Sequence, residues 1–171
     1  MSTSKIMLSS QFLDQLQRVD SLLLQCAHVN DLYRQAVLLG RAQLGFDRLG
    51  VLLWENGHMI GTYGTDEYGD LRDESYSRNR KIQPEILAIL YSKERVKVWQ
   101  ERTLYDFGMA IGRGWSIMAA LWDGEQSLGW LATDNFVQRK PLEEHLVPLM
   151  THYANIIARH ITRLRHKTRL R

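Results

Sequence analysis

Phe46-Asp47-Arg48-Leu49-Gly50-Val51-Leu52-Leu53-Trp54-Glu55-Asn56-Gly57-His58-Met59-Ile60-Gly61-Thr62-Tyr63 is the stretch on which the fold turns. Two β-prone runs, Leu49 to Trp54 and His58 to Tyr63, flank Asn56-Gly57. Both central residues of a tight hairpin turn need positive φ, which glycine accepts freely and asparagine tolerates. An antiparallel hairpin follows. The same logic applies to Trp115 to Trp122, the turn Asp123-Gly124, and Ser127 to Thr133. Val96-Lys97-Val98-Trp99 adds a short strand. Strands joined by hairpins build a mainly antiparallel sheet, which leaves a face for helices to cover.

Helices flank this centre. From Ser10 to about His28, Phe12, Leu16, Val19, Leu23 and Cys26 recur at steps of four and three, one apolar stripe on a helix capped by Ser10. The stripe spans only about two heptads, so it predicts packing against the sheet and not a coiled coil. Asn30 caps a second helix carrying Leu32, Ala36, Val37, Leu39 and Leu44, which Gly45 stops. Gly64 to Lys81 is polar and reads as a long loop with room for a short helix. Pro84, placed for a first turn, opens another short helix through Leu90. A long helix from near Pro141 closes the chain, with Leu142, Leu146, Leu149, Tyr153, Ile156 and Ile161 at helical spacing. Pro148 either kinks it or marks its true start.

The chain's 171 residues suit one domain over 1–171: helices over 10–45, sheet and pocket over 46–135, and the last helix with its basic tail over 141–171. Hydrophobic residues at 44% and charged residues at 24% exclude a disordered chain. Apolar runs such as Ile117 to Trp122 are far too short for a membrane span. Gln11, Asp14, Gln15 and Arg18 interrupt the apolar stretch that a secretory signal needs, which points to the cytoplasm. Six Lys and Arg residues between Arg159 and Arg171 supply the positive balance. Without them 16 basic residues face 19 acidic ones, turning a net +3 into −3. The body is therefore not expected to bind nucleic acid directly.

Chemistry-bearing residues are sparse. Cys26 is the only cysteine, so one chain can form neither an internal disulfide nor a cysteine-based zinc site. The histidines, His28, His58, His145, His152, His160 and His166, lack the partners of a metal centre. Gly108 to Gly114 runs into Trp115 and is no phosphate loop, and Ser116 and Ser127 lack the glycines of a nucleophile elbow. No enzyme, metal or cofactor is expected. Trp54, Trp99, Trp115, Trp122 and Trp130 all fall on or beside strands, and a pocket using such residues suits a flat or apolar ligand. Tyr63, Thr65, Asp66, Trp99 and Trp115 are the expected lining. Asp66, Glu67, Asp70, Asp73 and Glu74 lack calcium-loop spacing and read as a solvated loop.

Phe46 to Leu53 resembles the first strand of the GAF family of sensory domains. Leu128-Gly129-Trp130-Leu131-Ala132-Thr133-Asp134-Asn135 resembles its penultimate strand, and Tyr153 to Ala158 its closing helix. The resemblance implies an α+β fold: a central antiparallel sheet of five to six strands, terminal helices on one face, short helices and loops on the other. It further implies a small-molecule-sensing regulatory module of a bacterial signalling or transcription-control protein, dimerising through its terminal helices and passing its signal to an output domain beyond Arg171. A ligand-free dimerisation module is the alternative. Relatives that reduce free methionine sulfoxide relay electrons through several cysteines, which one Cys26 does not supply. Asn135-Phe136 and Glu143-Glu144 depart from the cyclic-nucleotide signature, and Cys26 is misplaced for a bilin.

Overall fold

A computed structural model describes residues 7–169, so Leu170 and Arg171 of the basic tail, like residues 1–6, lie outside the described residues. The elements run α1 (Ser10–Leu23), α2 (Val29–Leu44), β1 (Arg48–Glu55), β2 (His58–Thr65), β3 (Leu71–Asp73), β4 (Arg78–Asn79), α3 (Pro84–Ile89), β5 (Val96–Asp106), β6 (Met109–Trp122), β7 (Ser127–Asp134) and α4 (Leu146–Arg169). Six strands lie in the order β3-β2-β1-β7-β6-β5, and the two-residue β4 also pairs with β2. Every pairing is antiparallel. The α+β architecture with its central antiparallel sheet is as the sequence implies.

Asn56 and Gly57 hold φ of 52° and 74°, closing the β1–β2 hairpin behind the Glu55–His58 pair. The β6–β7 turn differs from the two-residue Asp-Gly expected. It spans four residues between Trp122 and Ser127, and the Asp123 carboxylate accepts hydrogen bonds from the Glu125 and Gln126 amides, each at 2.8 Å. A third hairpin was not legible. Val96 to Trp99 continues to Asp106 and turns at Phe107-Gly108, with φ of 54° and 74°, into the 14-residue β6. Phenylalanine is a poor predictor of positive φ, which hid that turn. Nor is Gly64 to Lys81 a loop with a helix: β3 and β4 form a strap paired to the outer edge of β2, in pieces too short to show a period.

Helix ends shift by small amounts. Ser9, not Ser10, caps α1, accepting from the Phe12 amide at 3.5 Å, and the helix stops at Leu23. His28, not Asn30, precedes α2, whose end at left-handed Gly45 is as expected. The last helix begins at Leu146, not near Pro141, with Pro148 in its first turn, where a missing N–H leaves nothing unpaired.

In β1, Leu49, Val51 and Leu53 enter the main core, while Gly50, Leu52 and Trp54 point the other way. Ile117 and Leu121 of β6 and Leu131 of β7 join that core, each full burial contributing about 1.5–3 kcal/mol. On this face α2 crosses β1 and β2, and α4 crosses β6 and β7. The stripe of α1 meets chiefly those two helices and not the sheet, a correction explained by the sheet face being already covered. Gly40 lets the layers close: a Cβ there would collide with the Leu49 side chain and lie 2.9 Å from the Tyr153 ring. Tyr153, wholly buried, donates its hydroxyl hydrogen to the Ala36 carbonyl. No helix among the described residues is long and apolar enough to cross a membrane.

Candidate functional site

Strand register arranges the other face in rows. One row reads Gly61–Leu52–Trp130–Ala120, the next Gly64–Gly50–Ala132–Met118, and the last Arg48–Asp134–Ser116–Trp99. The part of this face around Trp130 is covered by α3. Ile86, Leu87, Ile89 and Leu90 pack on Leu52, Trp54, Met118 and Trp130. The Trp130 indole N–H donates to the Ile86 carbonyl at 2.9 Å and the Ser127 hydroxyl to the Leu90 carbonyl at 2.7 Å, tying α3 down.

On β1 and β7 the second row carries glycine and alanine where the first carries leucine and tryptophan. A cavity of about 230 Å³ remains there, lined in part by Arg48, Gly50, Gly64, Glu74, Asp106, Ser116, Ala132 and Asp134. The strap and the β5–β6 hairpin tip form its walls. Gly64 admits the strap: any Cβ there would strike the Glu74 carboxylate, which lies flat against β2. A second cavity of about 370 Å³ sits beyond Glu74 and Phe107, which line both.

Charge is concentrated in the walls. Arg72 donates through Nη2 to Asp106 Oδ1 at 2.5 Å and through Nη1 to Oδ2 at 3.2 Å. Its Nε and Nη2 also donate to Glu74 Oε2, at 3.1 and 2.7 Å. Hydrogen bonding to Asp106, then to Glu74, pushes the Arg72 guanidinium further toward its charged form. Its Cζ lies 4.0 Å from the Phe107 ring centre, and Phe107 stacks on Tyr76 at 5.6 Å. Arg48 is less satisfied. Its Nη2 donates to the Tyr105 carbonyl at 3.2 Å and lies 3.6 Å from Asp106 Oδ1, while its Nε lies 3.7 Å from Asp134 Oδ2. Its Nε and Nη1 are shut off from solvent and hydrogen-bond to nothing among the described residues. Asp134 Oδ1 accepts from the Phe136 amide at 3.0 Å. Burial pushes the Asp134 carboxyl above its usual range, against the pull of Arg48.

The five residues expected to line a pocket do not converge. Thr65 borders the cavity, but its hydroxyl is engaged with the backbone N–H and carbonyl of Leu49 at 3.2 Å. Tyr63 and Trp115 pack into the helical core on the opposite face, where the Trp115 indole donates to the Lys140 carbonyl at 2.8 Å. Asp66 folds its own loop, accepting from the Tyr68 and Asp70 amides at 2.9 Å. Trp99 belongs to the apolar cluster under α3, with Arg102 at 4.1 Å over its ring. Strand parity decides these outcomes, and one residue of register moves a side chain to the other face. Arg48, Arg72, Asp106 and Asp134 were missed, and Glu74 had been read as solvated. The available signal was charge at strand ends: Arg48 opens β1 and Asp134 closes β7 directly opposite.

Cys26 packs with the helical core, where burial pushes its thiol pKa up, so the sheet separates it from the cavity. Among the described residues no three His, Cys, Asp or Glu side chains are arranged to hold a metal.

Helices from both ends of the chain under one face of an open antiparallel sheet, with a cavity on the other face, define a recognisable class of α+β domain. Comparison with solved structures makes it particular: the chain has the GAF fold. The GAF domain of an Acinetobacter phosphoenolpyruvate-protein phosphotransferase superposes with a TM-score of 0.71 at 10% identity, over 93% of this chain and 97% of that one. The phycoerythrobilin-bound GAF domain of a cyanobacterial phytochrome gives 0.70 at 13% identity, over 94% and 100%. The free methionine-R-sulfoxide reductase of Neisseria meningitidis, in complex with its substrate, gives 0.67 at 11% identity, over 98% and 99%. No family model matches the sequence, and no curated protein is significantly similar to it.

Proposed function

We propose that this chain is a non-catalytic sensory module of a bacterial signalling protein, which binds a small molecule in the Arg48–Asp134 cavity. The observation that carries this is the floor of Gly50, Gly64, Ala132 and Ser116, which leaves open space beside the charged walls of this face. A buried guanidinium with unused N–H groups is costly, and a ligand acceptor would relieve that cost. The similarity to domains of a phosphotransferase and a phytochrome fits a regulatory role. Catalysis would need a convergent nucleophile, base or metal set, and Cys26, the one thiol, stands on the far side of the sheet.

The signal would leave through the terminal helices, which are joined where Asp20 of α1 meets His160 Nε2 of α4 at 2.6 Å. Leu13, Leu22 and Leu24 are exposed on or just after α1 and favour self-association there as part of the output. A thermal-shift screen of a broad metabolite library tests the proposal. A ligand at a hundred times its Kd stabilises the fold by about 2.7 kcal/mol. A library that leaves the melting temperature untouched would sink the sensory reading.

A further inference from the structure

The charges around the cavity select among ligands. Arg48, Glu74, Asp106 and Asp134 line it, and Arg72 closes on two of those carboxylates from the strap. Three carboxylates against two guanidinium groups leave one negative charge. Asp47 and Arg139, which also act on Asp134, bear opposite formal charges. Arg72 is occupied by Asp106 and by Oε2 of Glu74. Among the described residues Glu74 Oε1 and Asp134 Oδ2 accept no hydrogen bond, the latter lying 3.7 Å from Arg48 Nε. Arg48 in turn has Nε and Nη1 unused. A bound anion would face three carboxylates at short range, whereas a cation would meet uncompensated charge. At about 230 Å³ the cavity is smaller than the roughly 300–1,000 Å³ of ordinary ligand sites, so the guest is compact.

Resting on the sensory reading, we propose that the cavity takes a small organic cation: a primary ammonium with a neighbouring carbonyl or hydroxyl oxygen. The ammonium donates to Glu74 and Asp134, and the oxygen accepts from Arg48. Phosphate esters, nucleotides and dicarboxylates are excluded by charge.

A charge series on one scaffold tests this with the full chain. The twenty amino acids are offered as amides, as free zwitterions and as N-acetyl acids, and binding is read by calorimetry and thermal shift at millimolar concentration. Affinity should fall about tenfold per unit of charge from amide to zwitterion to acid, or about 1.4 kcal/mol a step. Glu74→Gln, nearly isosteric, should weaken the best amide about tenfold, and Asp134→Asn provides a second variant should the first fail to fold. N-acetyl acids binding as tightly as amides would overturn the charge selection while leaving the sensory reading intact. So would an amide whose affinity neither variant changes. Absence of binding by any member, together with an empty metabolite screen, would remove both.

Discussion

The half of the open face under α3 and the half under the β3–β4 strap share β1, β6 and β7, yet one is closed and the other hollow. Under α3 the strands present Leu52, Trp130 and Met118, and wholly buried Trp130 anchors the helix through its indole N–H. Two residues further along the same strands stand Gly50, Ala132 and Ser116, and the space they leave is bounded by ionised side chains. Apolar burial fills its own volume because close packing is favourable. Charged walls resist that collapse, since a carboxylate brought into a dry interior loses its hydration. Close packing and open space thus fall on different stretches of the same strands.

The sharpest way to break this division is Trp130→Ala, which removes the largest buried side chain of the sealed half. The fold should lose about 3–5 kcal/mol, measured by urea denaturation. A loss below about 1 kcal/mol would mean that the α3 seal contributes little.

A pair of glycines refines the contrast. At Gly61 a Cβ would collide with the backbone carbonyl of Glu74, so Gly61→Ala should cost about 1–3 kcal/mol by lifting the strap. At Gly50 the nearest neighbour of a Cβ is Gly64 Cα at 3.9 Å, an ordinary contact. Gly50→Val should therefore leave stability unchanged or raise it by about 0.5–1 kcal/mol, while abolishing any ligand-induced thermal shift. Equal stability losses at the two glycines would show that the seat of the strap and the cavity floor are packed alike.

The smallest effect concerns Asp134. Burial raises its carboxyl above the ordinary 3.8, so the folded chain holds that proton to higher pH than the unfolded chain does. The stability this lends is complete below the unfolded value and is lost as pH rises through the folded one. Asparagine stays uncharged throughout. Asp134→Asn should accordingly gain on the native chain between acid and neutral pH, by about 1 kcal/mol or less, as read from melting curves across that range.

Element type was largely legible because long amphipathic periods and Asn-Gly punctuation are local properties. The Leu49–Trp54 and His58–Tyr63 hairpin and the α2 stop at Gly45 needed nothing beyond adjacent residues. The strap and the Phe107-Gly108 turn were not legible, since β3 and β4 exist only through pairing with β2. The scatter of the expected lining has a related reason. Tyr63 and Trp115 carry suitable chemistry but lie on the helical face, while Arg72 reaches Asp106 across 34 positions of sequence. Which face a side chain takes, and which distant charge it meets, are properties of register and topology.

None of the five tryptophans borders the cavity between Arg48 and Asp134. Trp54 and Trp130 meet edge to face at 5.8 Å beneath α3, with Trp99 in the same cluster. Tryptophan emission would therefore follow the seating of α3 and, through Trp115, the helical core, whereas a guest beside Arg48 would be seen through Tyr105 or through heat.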